Sequence, residues 1–112
     1  MKLSYLMSSI TLTQEEIQAV IDVIDLAMES KSGDTIKGMY SMVALLNQGL
    51  HQNDGDVEFQ IDDDFNSYVY DTLFSCLYEG AYASVLQSKG SYLKDVDDKY
   101  NDAVGNDRGT NA

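Results

Sequence analysis

Apolar residues recur at Ile17, Val20, Ile21, Ile24 and Met28, three and four positions apart, which is the stripe a helix buries. Thr13 and Glu16 precede that stripe at capping-box spacing, and Lys31-Ser32-Gly33 closes it. Asp34 opens a second helix to about Leu50, with Ile36, Met39, Tyr40, Val43, Leu46 and Leu50 as its apolar face. The short link between the two predicts an antiparallel hairpin.

Gln52-Asn53-Asp54-Gly55-Asp56 is a turn by composition. After it Val57, Phe59 and Ile61 alternate with Glu58 and Gln60, the period of a short half-buried strand. Its expected partner is the segment around Leu3–Met7. Asp62, Asp63 and Asp64 then start a third helix, running from about Asp63 to Tyr78 and extendable past Gly80 to Leu86. Phe65, Val69, Leu73, Cys76 and Leu77 make one apolar face of it; Tyr70, Phe74, Tyr78 and Ala81 make a nearly opposite one. A helix apolar on two sides is central in a bundle or shared with another chain. Ser91 is the expected cap of a last helix bearing Tyr92, Leu93, Val96, Tyr100 and Val104, with Gly105 as its stop. The expected fold is mainly α: a compact bundle of about four helices in one domain over residues 1–105, with a short two-strand pairing. Residues 106–112 are expected to be a flexible tail.

Charge changes the picture most. The 112 residues hold 19 Asp and Glu against 7 Lys and Arg, a net charge of −12. A direct nucleic-acid binder displaces counterions with Lys and Arg, and here the one arginine is Arg108. Direct binding to nucleic acid or to an anionic membrane is therefore not expected; a basic protein surface is the expected partner. Between Lys37 and Lys89 there is no basic residue, yet that stretch holds Asp54, Asp56, Glu58, Asp62, Asp63, Asp64, Asp71 and Glu79. A second acidic set, Glu15, Asp22, Asp25 and Glu29, falls within about 80° on the first helix and spans roughly 21 Å. Both sets have a plainer reading as solvated, solubilising surface.

Catalytic and metal chemistry find little to work with. The chain has one imidazole, His51, and one thiol, Cys76, which lies on an apolar face and reads as a core residue. One Cys and one His do not make a zinc site. Asn53-Asp54-Gly55-Asp56-Val57 has the look of the middle of a calcium loop. That register, however, puts Leu50 and Ile61 where the first and twelfth ligands belong. No enzyme activity, cofactor or metal is expected. A single cysteine forms no internal disulfide. Met1–Ile10 carries no secretory pattern and no run approaches a membrane span, so the expected location is cytoplasmic.

Eight tyrosines, among them Tyr68, Tyr70, Tyr78 and Tyr82 near the third helix, suit stacking on arginine-bearing partners as well as ordinary packing. In size, in its −12 charge and in the run from Asp54 to Asp64, the chain resembles the small, acidic, proline-poor proteins with which bacteriophages and mobile elements disable host nucleases, polymerases or defence complexes. The resemblance implies an anti-defence or host-takeover inhibitor, in part a DNA mimic. It would bind a nucleic-acid-handling host protein through Asp54, Asp56, Glu58, Asp62, Asp63 and Asp64, with Tyr68 or Tyr78 as packing anchors. The rival expectation is a structural or adaptor helical domain, homodimeric through the Phe74/Tyr78 face.

Overall fold

The chain enters its first helix through Thr13. The Thr13 hydroxyl accepts from the Glu16 backbone N–H at 3.1 Å, and the Glu16 carboxylate takes the Thr13 N–H at 2.9 Å. This is the reciprocal cap that the spacing predicts. The computed structural model describes residues 8–52 and 54–107, and of residues 106 and 107 the backbone alone. Its elements are strand β1 (Ser9–Leu12), helix α1 (Gln14–Met28), helix α2 (Gly33–Gln52), strand β2 (Val57–Gln60), a π-helical segment (Phe65–Tyr70), helix α3 (Asp71–Tyr78) and helix α4 (Ala83–Asp107). The mainly α bundle with a two-strand pairing is thus the observed architecture.

Helix α1 is the centre. Besides the predicted Ile17, Val20, Ile21 and Ile24, it buries Ala19, Val23 and Ala27, and it packs against α2, α3 and α4. Helix α2 follows Gly33, whose positive φ of 61° makes the reversal. It buries Met39, Met42, Leu46 and Gly49. Tyr40, expected inside, is 62% exposed. The inward stripe runs 39, 42, 46, 49, and a neighbour of Met39 stands about 100° away from it. A Cβ on Gly49 would lie 3.3 Å from the Phe59 ring and 3.5 Å from Ile17, so this helix comes close to both sheet and α1.

The two strands pair antiparallel, Ile10 opposite Phe59 and Leu12 opposite Val57, and the Ile61 N–H extends the ladder to the Ser8 carbonyl at 2.8 Å. The strand expected around Leu3–Met7 lies outside the described residues. The observed partner is Ser9–Leu12, whose Ile10 and Leu12 alternate with Ser9 and Thr11 just as Val57 and Phe59 do with Glu58 and Gln60.

Residues 63–78 are helical throughout, as predicted, but the interior is not uniform. Within the π-helical segment the wider turn is closed five residues back, with the Asp71 N–H bonded to the Asn66 carbonyl. The wider turn holds Phe65, Val69, Leu73 and Cys76 on one buried side. The extension past Gly80 does not occur. Gly80 and Tyr82 take φ of 77° and 57°, which breaks the helix, and residues 83–86 begin α4 instead. The expected break near Lys89-Gly90 is a kink inside α4, with non-helical angles at Lys89. Nor does Gly105 stop the helix, which continues to Asp107, into the segment read as tail. Residues 108–112 lie outside the described residues.

Replacing Thr13 with Ala removes one partner of the cap. The expected loss is about 1 kcal/mol, read as a lower denaturant midpoint at unchanged m-value; an unchanged midpoint would show that the cap contributes nothing to stability.

Candidate protein-binding surface

Strand alternation places the acids. Val57, Phe59 and Ile61 turn inward, so Asp56, Glu58, Gln60 and Asp62 share the outward parity of β2 and its flanks. At about 3.3 Å per residue the carboxylates at 56 and 58 stand about 7 Å apart along the chain. Asp54, Asp56, Glu58, Asp63 and Asp64 are exposed, and Asp62 is half-buried because it has a structural task. Its Oδ1 accepts the Phe65 N–H at 2.8 Å and so caps the helical run that follows. Glu58 also accepts a hydrogen bond from the Ser9 hydroxyl at 2.6 Å, across the strand pair.

These carboxylates do not crowd one spot. Asp62 and Asp64 line a depression of about 200 Å³ whose other wall is α2, with Gly38, Ser41, Leu45 and the ring of Tyr68. Tyr68 can lie there because position 38 is glycine: a Cβ at 38 would fall within the tyrosine ring. Ile61 and Asp62–Asp64 border a neighbouring concavity of about 320 Å³. Asp56 faces elsewhere, sharing a depression with Ser9, Thr11, Lys99 and Asp102. The α2 contributors Ser41 and Leu45 were not legible as site residues. The helical pattern puts them off the core stripe but says nothing of what faces them, and Leu45 is 47% exposed.

Among the described residues the ion pairs are Lys99–Glu16 at 2.7 Å, Lys89–Asp22 at 2.6 Å and Lys94–Asp98 at 3.0 Å. None of them involves a carboxylate between Asp54 and Asp64. The α1 stripe is different. Its Asp22 is held by Lys89 from α4 and by the Gln18 amide, so a cation stands within the row. Glu15, Asp25 and Glu29 remain exposed. Partial burial, with the nearby Asp22 charge, pushes the Asp25 carboxyl up.

Tyr78 belongs to a separate feature. Tyr70 stacks on Tyr100 at 3.8 Å, and Phe74 sits 6.2 Å from Tyr70 and 4.9 Å from Tyr78, so the rings form a ladder along the third helix. At its foot is Asp97 of α4, 1% exposed, which accepts from the Tyr70 hydroxyl at 3.1 Å and from the Tyr78 hydroxyl. Phe74 and Tyr78 remain 42% and 53% exposed at the outer end. No pattern in the sequence distinguishes Asp97 from Asp95 or Asp98. Only its helical register beside Leu93, Val96 and Tyr100 hints that it turns inward.

Cys76 is fully buried, its thiol facing the Tyr82 carbonyl at 3.9 Å, and burial pushes that thiol up, away from thiolate reactivity. His51 is exposed at the end of α2. Among the described residues no three His, Cys, Asp or Glu side chains converge to hold a metal ion. No helix among them is long and apolar enough to cross a membrane. Comparison with protein-family models, with curated proteins and with solved structures finds no match.

Burial, reinforced by the hydrogen bond to Asp97, pushes the Tyr70 phenol up to about 12 from an ordinary 10.0. A raised folded value stabilises fully below the unfolded pKa, and the contribution is lost as pH rises through the folded one. Denaturant midpoints should therefore hold to about pH 10 and fall toward pH 12. Tyr70→Phe should flatten that alkaline limb; an identical limb in the variant would show that Tyr70 does not carry it.

Proposed function

We propose that this chain is an acidic protein-binding inhibitor or modulator, acting on the cationic surface of a nucleic-acid-handling protein in the manner of phage anti-defence and host-takeover proteins. One observation carries the reading. The carboxylates from Asp54 to Asp64 run from the turn through the outward side of β2 to the helix start, with no ion-pair partner among the described residues. An uncompensated block of one sign repels itself, and apposition to lysine and arginine relieves that repulsion while steering encounter. In this reading Asp54, Asp56, Glu58, Asp62, Asp63 and Asp64 meet the partner's basic groups. Tyr68, walled by Leu45 and Gly38, offers an aromatic face on which a guanidinium can stack. The partner's nucleic acid would compete for the same basic surface.

A second reading rests on the exposed Phe74 and Tyr78, which would suit an adaptor domain that dimerises through the third helix. Two copies of charge −12 oppose that association at low salt. Light scattering across concentration and salt separates the two: a salt-resistant dimer favours the adaptor.

The test of the inhibitor reading is a binding series against a protein captured from bacterial lysate at low salt. Asp63→Lys with Asp64→Lys should weaken binding by well over tenfold, high salt should release the partner, and duplex DNA should displace the chain. Unchanged affinity in the double variant, with the helical spectrum retained, would remove the electrostatic reading.

A further inference from the structure

The outer edge of β2 carries a feature that surface charge alone does not explain. The Ile61 N–H reaches the Ser8 carbonyl, so Ile61 and, by alternation, Phe59 and Val57 turn their backbone groups toward β1. Glu58 and Gln60 then face the other way, with their N–H and C=O groups pointing out of the sheet. The opposite edge is closed: the Thr11 carbonyl, which points out beyond β1, accepts from the Lys99 ammonium at 3.1 Å, and the Ser8 hydroxyl reaches the Ala103 carbonyl of α4. Among the described residues the sheet ends at β2, and no hydrogen bond takes up the outward backbone groups of Glu58 and Gln60.

Exposed edges are usually blunted by lysine, proline, a bulge or a covering element. This edge has neither lysine nor proline and keeps regular pairing throughout; its short length and the Glu58 carboxylate discourage a second acidic copy but not a cationic strand. Glu58 stands on the outward face of β2 beside Gln60, and the edge runs on into the concavity bordered by Asp62–Asp64; Asp56, just before the strand, turns toward Lys99 and Asp102. We propose that the outer edge of β2 is a docking strand, onto which an extended cationic segment of the partner protein adds as a third strand; the proposal rests on the protein-binding reading above and specifies how contact is made. Backbone groups of Glu58 and Gln60 supply the ladder, and lysines or arginines at every second residue of the incoming segment meet Glu58 and, past Gln60, the carboxylates of Asp62–Asp64. The occupant is not a second copy, because pairing β2 with itself would set Glu58 and Asp56 against their own kind.

The test uses the full chain and two synthetic eight-residue peptides with lysine at alternate positions, identical except that one has all its backbone nitrogens methylated, so that it cannot donate to β2 in either orientation. The unmethylated peptide should bind at least tenfold tighter by fluorescence anisotropy, and it should slow hydrogen exchange at the Glu58 and Gln60 amides. Gln60→Pro deletes one outward N–H without touching the β1 ladder, and it should cost the same tenfold while leaving binding of the methylated peptide unchanged. Equal affinity of the two peptides overturns strand addition and leaves the charge reading standing. Failure of both to bind overturns the charge reading itself. Protection of the Phe74 and Tyr78 region in place of Glu58 and Gln60 also overturns the proposal.

Discussion

One carboxylate oxygen holds three elements together. Oε1 of Glu16, on a side chain only 5% exposed, accepts both the Thr13 N–H that caps α1 and the ammonium of Lys99 on α4, and the same ammonium takes the Thr11 carbonyl of β1. Burying a carboxylate is costly unless it is paired and hydrogen-bonded; here the cap and the lysine both do so at Oε1. The start of α1, the edge of the sheet and the last helix are thereby registered at a single point. A second tie, Lys89 to Asp22, joins the same two helices at the kink of α4. Two of a very small stock of cations are thus engaged inside the frame, which leaves the carboxylates of the turn and of β2 unneutralised among the described residues. Scaffold and surface charge are two sides of one allocation.

The legible parts of the fold were those governed by local chemistry. The Thr13–Glu16 cap, the alternation at Val57–Ile61 and the helical extent of residues 63–78 follow from short-range pattern and appear as read. What escaped depends on long-range contact. Tyr40 and Met42 are equally good candidates for the inner face of α2, and only the position of the sheet under Gly49 decides between them. The pattern points to a strand partner one stretch too early, because four residues of alternation at Ser9–Leu12 are too few to stand out beside an adjoining cap. The inward turn of Asp97 is marked only by its register beside Leu93, Val96 and Tyr100, and the left-handed conformation of Tyr82 leaves no sequence mark at all. At the candidate surface the acids themselves were legible and their grouping was not: Asp62 and Asp64 share a wall with α2, while Asp56 looks toward Lys99 and Asp102.

The molecule therefore presents two unlike surfaces. Along β2 and the start of the third helix, carboxylates border a backbone edge that nothing among the described residues pairs. On the later turns of the same helix, a ladder of rings leads from the Tyr70–Tyr100 stack to the exposed Phe74 and Tyr78, braced from below by Asp97. Each tyrosine hydroxyl on Asp97 fills an acceptor site that would otherwise be unsatisfied, so the rings keep a defined orientation even where they meet solvent. Polar bracing of an aromatic face combines adhesiveness with rigidity, which lowers the ordering cost of any contact made there.

The π-helical turn between these surfaces behaves as one supernumerary residue in an otherwise ordinary helix. Because the wider turn absorbs that residue, excising one residue from 65–70 would restore the tighter pitch and leave everything downstream facing as before. The same extra residue carried in an unbroken α-helix would swing everything downstream by about 100°, taking Leu73 and Cys76 out of the interior and the ring ladder off Asp97. The wide turn therefore protects the relative bearing of the charged edge and the aromatic ladder against a change of one residue in length. Lineages that lost one codon in this stretch would present the same two faces at the same angle.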